Sequence, residues 1–394
     1  MIRFFRVCKG MGNGLKTSSF TKDFNEIGIR NMLQRLFKDR LLIVLVVLVV
    51  IIRIFSLNEA WVESCYTYGF YPVISKVLRF ITGWIPFSIG DLLYVAAFIW
   101  LLTKVWKVIA LARRKELKSY LSWQLFSKYL KLILLVYCIF NLFWGLNYYR
   151  QGIATQLGLD VKPYGKTELV ELTCILQQQL NRYADQIDSI ERDKLNNNRL
   201  LFNRADSVYR QTVNSYSFLS YPPPSQKPSM FSSIGHYFGF TGYYNPFTGE
   251  AQLKTTVPVF LKPFIICHEM GHQLGYAKEN EANFISYLSC KSSTDVDFKY
   301  SVYFDLYRYA LNNLVSIDPW QALAISKGVH QRVKTDMRTL RAYFQRTKNP
   351  VEPLMNKAYD QYLKMNNQPK GFQTYNEVVA WLIAYQKKFG SEAI

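Results

Sequence analysis

The sequence predicts a mainly α-helical protein, with three membrane-crossing helices followed by a mostly helical domain that holds a small β-hairpin. Three observations carry that expectation. Three apolar runs long enough to act as spans lie within residues 41–149. Beyond them, Leu and Tyr recur at three- and four-residue intervals, the period of a helix with one buried face. Between Gly235 and Leu253 the texture changes to aromatics interleaved with Gly and Thr, and Asn245-Pro246-Phe247-Thr248-Gly249 marks a turn.

The first apolar run extends from Leu41 to about Leu57, with Arg53 near its far end as its only charge. It is slightly short alone, and Arg53 can snorkel to an interface. The second covers roughly Phe87 to Leu111, with Asp91, Lys104 and Lys107 towards its ends and Trp100 and Trp106 as interfacial anchors. The third runs from Leu130 to Tyr148 and closes on Trp144, Tyr148 and Tyr149.

Charge gives these spans a direction. The 394 residues carry a net charge of +20, and residues 1–149 hold 20 Lys and Arg against 7 Asp and Glu. The basic excess therefore flanks the apolar runs, which points to membrane topology and excludes a nucleic-acid-binding role. Arg3, Arg6, Lys9, Lys16, Lys22, Arg30, Arg35, Lys38 and Arg40 precede the first run; Arg113, Arg114, Lys115, Lys118 and Lys128 separate the second from the third. Between the first and second lie only Lys76 and Arg79, beside Glu59 and Glu63. Both basic flanks belong in the cytoplasm, so everything after Arg150 is expected outside it. The first apolar run begins beyond residue 40 with no small-residue cleavage site after it, which disfavours a cleaved signal peptide. The expected organisation is a basic cytoplasmic extension over 1–40, a membrane region over 41–149 and an extracytoplasmic domain over 150–394.

In that last region Thr167–Ile190 and Asn198–Phe218 read as helices, and Tyr221-Pro222-Pro223-Pro224 starts a loop or edge. Tyr300–Leu314 and Pro319 to about Gln345 read as helices, followed by shorter segments at 351–364 and 375–389. His330 is expected mid-helix as a solvated surface residue. The six cysteines include no C-x-x-C pair and form no disulfide framework.

The chemistry concentrates in Cys267-His268-Glu269-Met270-Gly271-His272, which matches H-E-x-x-H. Two histidines four apart share one helical face, so both imidazoles can reach one metal ion. Glu269 projects beside that ion, where it can take a proton from a bound water. Pro263 suits the start of this helix and Gly275 its end. The implied ion is Zn2+, which in a catalytic site takes three protein ligands and keeps one position for water.

The third ligand must come from the next helix, which begins Lys278-Glu279-Asn280-Glu281-Ala282-Asn283. A tight hairpin turning near Tyr276-Ala277 places Glu281 opposite His272, and Asn280-Glu281-Ala282 resembles the Asn-Glu-Ala of thermolysin-like enzymes. Glu279 is the alternative, since Glu279-x-x-Ala282-Asn283 resembles the Glu-x-x-Ala-Asp of the membrane CAAX proteases, with Asn in place of Asp. Lys278 occupies the position where a metzincin would have its third histidine and cannot ligate. His236 and Tyr244 in the aromatic segment, and Tyr303 and Tyr307 after the Glu helix, are candidate cleft residues; the two tyrosines could support an oxyanion.

Trp144-Gly145-Leu146-Asn147-Tyr148-Tyr149-Arg150, Gly242-Tyr243-Tyr244-Asn245-Pro246-Phe247-Thr248-Gly249-Glu250-Ala251, His268 to Gln273 and Glu279-x-Glu281-Ala282-Asn283-Phe284 together resemble an uncharacterised bacterial family. Its members are three-span membrane proteins with a gluzincin-like HExxH metallopeptidase domain. The resemblance covers most of the chain from about residue 40, which leaves Met32 as a possible true start. It implies a zincin-like domain, a place in the bacterial inner membrane with that domain in the periplasm, and a zinc metalloendopeptidase acting on a peptide or protein substrate through a zinc-activated water. It identifies no particular substrate. The alternative of another class is a non-catalytic envelope protein whose metal site is structural.

Overall fold

The computed structural model describes residues 39–120 and 122–394. The basic extension expected over 1–40, with Met32 inside it, lies outside those residues except at Asp39 and Arg40. The described chain is mainly helical, with one small sheet.

Each long apolar helix opens on a side-chain cap. Asp39 accepts the amide of Leu42 at the head of α1 (Arg40–Ser56). Asn58 then caps a new helix through the amide of Trp61, and the chain bends by 99° into Glu59–Gly83. That segment comprises a π-helical stretch, Val62–Phe70, and α2 (Tyr71–Gly83). Ser88 caps α3 (Ile89–Arg113) and Ser122 caps α4 (Trp123–Phe143). These caps satisfy amides that a helix leaves unpaired in its first turn.

Among the described residues, α3 and α4 are long and apolar enough to cross a membrane, while α1 reaches that standard only jointly with Glu59–Gly83. The third apolar helix is displaced from the expected 130–148. It ends at Phe143 because Trp144 leaves helical backbone at φ −160°, and Gly145–Tyr149 forms a 3-10 turn that carries the chain into the domain. Near its other end, Lys131 and Ser127 hold Asp39, tying α4 to the start of α1. At the far end Arg53 donates to the Tyr149 hydroxyl.

α2 has two unlike faces. Val73, Val77, Phe80, Ile81 and Trp84 are exposed along one side, whereas Tyr71, Ser75, Arg79 and Thr82 are buried on the other. The buried side docks on the domain: Arg79 donates to the carbonyls of Tyr221 and Pro223, and its guanidinium lies over the Tyr221 ring.

The domain is built around one apolar core. α5 (Lys166–Gln186) buries Leu169, Leu172, Leu176 and Leu180 against later helices, each contributing about 1.5–3 kcal/mol by leaving water. It is followed by α6 (Asn198–Thr212) and a three-stranded sheet of β1 (Gln226–Pro228), β2 (Gly242–Asn245) and β3 (Glu250–Leu253). The order is β1-β3-β2, with β1 parallel and β2 antiparallel to β3, so the expected hairpin is present and gains a neighbour. Asn245 Oδ1 accepts the amides of Phe247 and Thr248 to form the hairpin turn.

α7 (Lys262–Gln273) and α8 (Glu279–Ser292) follow as an antiparallel pair, and α9 (Val296–Ile317) packs along α5. The single helix expected over 319–345 is two, α10 (Pro319–Lys327) and α11 (Gln331–Thr347). His330 stands at the break, not mid-helix: its Nδ1 accepts the amide of Arg332, and its Nε2 lies 3.1 Å from Asp185. α12 (Glu352–Met365) and α13 (Val378–Phe389) complete the chain.

The sheet grips α3 directly. Glu250, fully buried, accepts from the amides of Ile89 and Gly90 at 3.0 and 2.6 Å and from the hydroxyls of Ser88 and Thr248 at 3.2 and 2.9 Å. A carboxylate at a helix N-terminus is also favoured by the helix dipole. Replacing it by Gln turns one acceptor into a donor facing a donor. We expect Glu250→Gln to cost about 1–3 kcal/mol, seen as a lower thermal midpoint in detergent. Thr248→Val, which removes one of the four bonds, should cost less; equal midpoints for wild type and Glu250→Gln would show that the clamp carries no load.

Candidate metal centre

Every residue of α7 is buried, so its two histidines and Glu269 are held inside the protein. The helix ends at Gly275, whose φ of +88° suits glycine, and the Tyr276 amide closes the turn on the Gly271 carbonyl. The next helix starts at Glu279. His268 Nε2 lies 3.1 Å and His272 Nε2 3.5 Å from Glu279 Oε2, and ligand atoms of the three residues all fall within 4.8 Å of one another.

The structure therefore brings Glu279, not Glu281, to the two histidines. Helix geometry explains the choice. From Glu279 a helix advances about 200° in two residues and about 400° in four, so Glu281 points away while Asn283 returns to the Glu279 face. Hairpin symmetry placed Glu281 opposite His272 without regard to this rotation. Glu281 is buried on the far side near Arg150, against Gly152, where an added Cβ would lie 1.9 Å from its Oε1. Burial pushes its carboxyl above the usual range, with Lys278 and Arg150 opposing.

Each imidazole is oriented through its other nitrogen. His268 Nδ1 donates to Asn283 Oδ1 at 2.8 Å, and the Asn283 amide is itself fixed by donating to the Tyr375 carbonyl. His272 Nδ1 donates to the Tyr276 carbonyl at 2.7 Å. Both Nε2 atoms are thereby turned to the carboxylate, the arrangement by which outer partners fix metal-binding histidines. Tyr359 of α12 donates to Glu279 Oε1 at 2.7 Å, and Tyr375 stacks on the His268 ring.

The electrostatics favour positive charge here. Burial raises the Glu279 carboxyl, but hydrogen bonds from both histidines outweigh it and hold the group well below the usual carboxylate range. Burial lowers His272, but Glu279 outweighs it and lifts the imidazole to about 9; in His268 burial prevails and the shift is downward. Glu269 is pushed up to about 8, chiefly by burial, and its Oε2 has no hydrogen-bond partner. Two imidazole nitrogens and one carboxylate oxygen suit zinc, and the 3.1 and 3.5 Å separations are close to the edge, about 3.3 Å, of a tetrahedron with zinc-like bond lengths.

His268 and Glu269 open onto a cleft of about 410 Å3. One wall is Phe238 to Tyr243, and the opposite wall comprises Met355, Tyr359 and Tyr362 of α12 with Tyr309 and Tyr375. β2 is an edge strand, and Gly242 passes so close to Glu269 that a Cβ there would lie 2.6 Å from Oε1.

None of the four residues expected in the cleft lines it. Strand alternation turns Tyr243 into the cleft and its neighbour Tyr244 to the opposite side, onto Trp144. Tyr303 is buried in the core, where it donates to the Ile394 carbonyl, and Tyr307 is buried on the same helix. His236 lies in a 3-10 turn just before the cleft wall, with its ring against Tyr237. Asn283 entered the sequence reading only as the Asn that replaces Asp in Glu-x-x-Ala-Asp, and it stands one turn after Glu279 on the face that meets His268. Tyr359 and Tyr375 were missed, and no local pattern marks either.

The geometry can be set beside known proteins. No curated protein and no solved structure matches the chain. One family, described as a protein of unknown function (DUF3810), matches residues 66–383, a range that includes α3, α4 and every residue of the His268–His272–Glu279 cluster. With most of its length matched, the chain belongs to the DUF3810 family.

Proposed function

We propose that the protein is a membrane-anchored zinc metallopeptidase, with zinc held by His268, His272 and Glu279. The observation that carries the reading is the convergence of these three buried ligands beside Glu269 at the wall of a cleft. Zinc, when bound, polarises a carbonyl and brings the pKa of water towards neutrality. Glu269, which lines the cleft beside His268, takes the proton of the attacking water. As water oxygen bonds to the carbonyl carbon and the C–N bond breaks, Glu269 returns that proton to the leaving amine nitrogen. Tyr359 keeps Glu279 Oε1 occupied so that Oε2 faces the histidines. The free edge of β2 offers backbone groups to an extended peptide lying past Glu269.

A structural metal site is disfavoured by two features. Among the described residues no fourth His, Cys, Asp or Glu joins the cluster, and a cleft reaches it. A purely structural site also gains nothing from a buried Glu269.

Zinc content tests the ligand set. Protein purified without chelator should carry about one zinc per chain. His268→Ala, His272→Ala and Glu279→Gln should lose it, while Glu281→Gln keeps it; loss from Glu281→Gln with retention by Glu279→Gln would reverse the assignment.

Glu269→Gln separates catalysis from binding. It should keep zinc and thermal midpoint while peptide hydrolysis falls by about 10²–10⁴. Hydrolysis at the wild-type rate would refute the role of Glu269, and a wild type that holds zinc but cuts nothing in a broad peptide library would favour the structural site.

We further propose that α1, α3 and α4 all cross the bacterial inner membrane, with the domain outside the cytoplasm. The segment between α1 and α3 packs on the domain, so both lie on one side. Of its two basic residues Arg79 is buried in that contact, whereas the segment between α3 and α4 is rich in Lys and Arg. A periplasm-dependent reporter fused after Arg150 should be active, and a cytoplasm-dependent one silent; the opposite pattern would invert the topology.

A further inference from the structure

The candidate centre lies directly on the ends of the membrane helices. Trp144, the residue that ends α4, donates from Nε1 to the His272 carbonyl at 3.2 Å, and its ring meets the His272 ring at 5.9 Å. At the head of α3, Asp91 accepts the amide of Met230 at 2.7 Å and the hydroxyl of Tyr243, a cleft residue. The head of α3 thus holds a residue of the cleft wall.

α2 sets the depth. Its exposed stripe of Val73, Val77, Phe80, Ile81 and Trp84 is a continuous apolar face on a helix bent sharply away from α1, the form of a helix lying in the membrane interface. The opposite side of α2 donates from Tyr71 and Ser75 to the Gln273 carbonyl, one residue from His272. One helix diameter, about 10–12 Å, therefore separates the histidines from the apolar stripe. The headgroup layers add only about 10–15 Å to a hydrocarbon core of about 30 Å, shared between two faces. His272 stands at or just above headgroup height.

The lips of the cleft are also apolar. Phe238, which lines one wall, is 46% exposed, and on α12 Leu354, next to the lining residue Met355, is 68% exposed.

We propose that the cleft receives a polypeptide where it leaves the bilayer, so that the substrate is itself membrane-anchored and is cut within a few residues of the membrane surface. This rests on the peptidase reading for the cut, and on geometry alone for the place. An apolar segment still partly in the interface lies along Phe238 and α12, and the extended residues beyond it pass β2 and Glu269.

Two measurements on the full-length protein in liposomes test it. In the first, a dansyl-bearing amino acid is introduced at Leu354, and separately at Lys194, beside the Asn196 that binds Lys262 at the opposite end of α7. That end lies about 15 Å along the helix from His272. Phospholipids brominated near the headgroup end of the acyl chain should quench position 354 and leave 194 bright. Equal, negligible quenching at both positions overturns the inference whatever the activity.

In the second, a mixed-sequence cassette is joined to a single apolar span by a spacer of about three or about thirty residues, which reach about 10 and 100 Å. The short spacer should be cut at least as fast as the long one, and the long one up to about thirtyfold more slowly as its effective concentration at the cleft falls. Cleavage of the long-spacer cassette alone overturns the inference. Quenching at 354 with neither cassette cut overturns the peptidase reading and the substrate class together, and leaves the interfacial position of the cleft standing.

Discussion

The Gln273 carbonyl at the end of α7 accepts no backbone amide, whereas that of His272 accepts the amide of Gly275; residues ahead of the domain add donors to both. Tyr71 and Ser75 donate to Gln273, and Trp144 donates to His272. A buried carbonyl left without a donor costs about 1–3 kcal/mol, so the bonds from α2 to Gln273 stabilise the C-terminal turn of the H-E-x-x-H helix. His272 sits in that turn. The position of one candidate ligand is thus set by segments that precede it by well over a hundred residues in sequence.

The rest of the site hangs on the same frame. Glu250 fixes β3 to the head of α3; β2, paired to β3, carries Gly242 past Glu269; and Asp91 holds Tyr243 in the cleft wall. From the other side α12 contributes Tyr359 to Glu279 and is itself tied to the end of α4 by the contact between the Tyr362 and Tyr148 hydroxyls. The long apolar helices and the cleft walls thus form one hydrogen-bonded assembly.

What was legible in the sequence follows from the range of the interactions involved. His268, Glu269 and His272 obey a rule internal to one helix, and the structure places the two histidines beside one carboxylate, that of Glu279. Asp39, Ser88 and Ser122 are caps of the usual residue types, although their neighbours hid them among apolar runs. The choice between Glu279 and Glu281 turned on where α8 begins, and a shift of two residues rotates a side chain by more than half a turn. Tyr244 was the wrong neighbour of the right residue, because a strand reverses its face at every step. The break before α11 has a local trace in Gly328, the C-cap of α10, whereas Tyr359 reaches Glu279 across 80 residues and leaves no local pattern.

The dependence of α7 on α2 and α4 also has an order in time. A chain is made from its N-terminus, so Tyr71, Ser75 and Trp144 exist before the carbonyls they will meet. On the topology proposed here, α1, α3 and α4 enter the bilayer first, with α2 at its surface, and present those donors as a fixed template. The H-E-x-x-H helix then completes its last turn on a surface already in place. Residues 150–394 severed from that template would leave the Gln273 carbonyl, and the apolar contacts of Tyr244, facing water. The domain is in that sense finished by its anchor and is not a module carried by it.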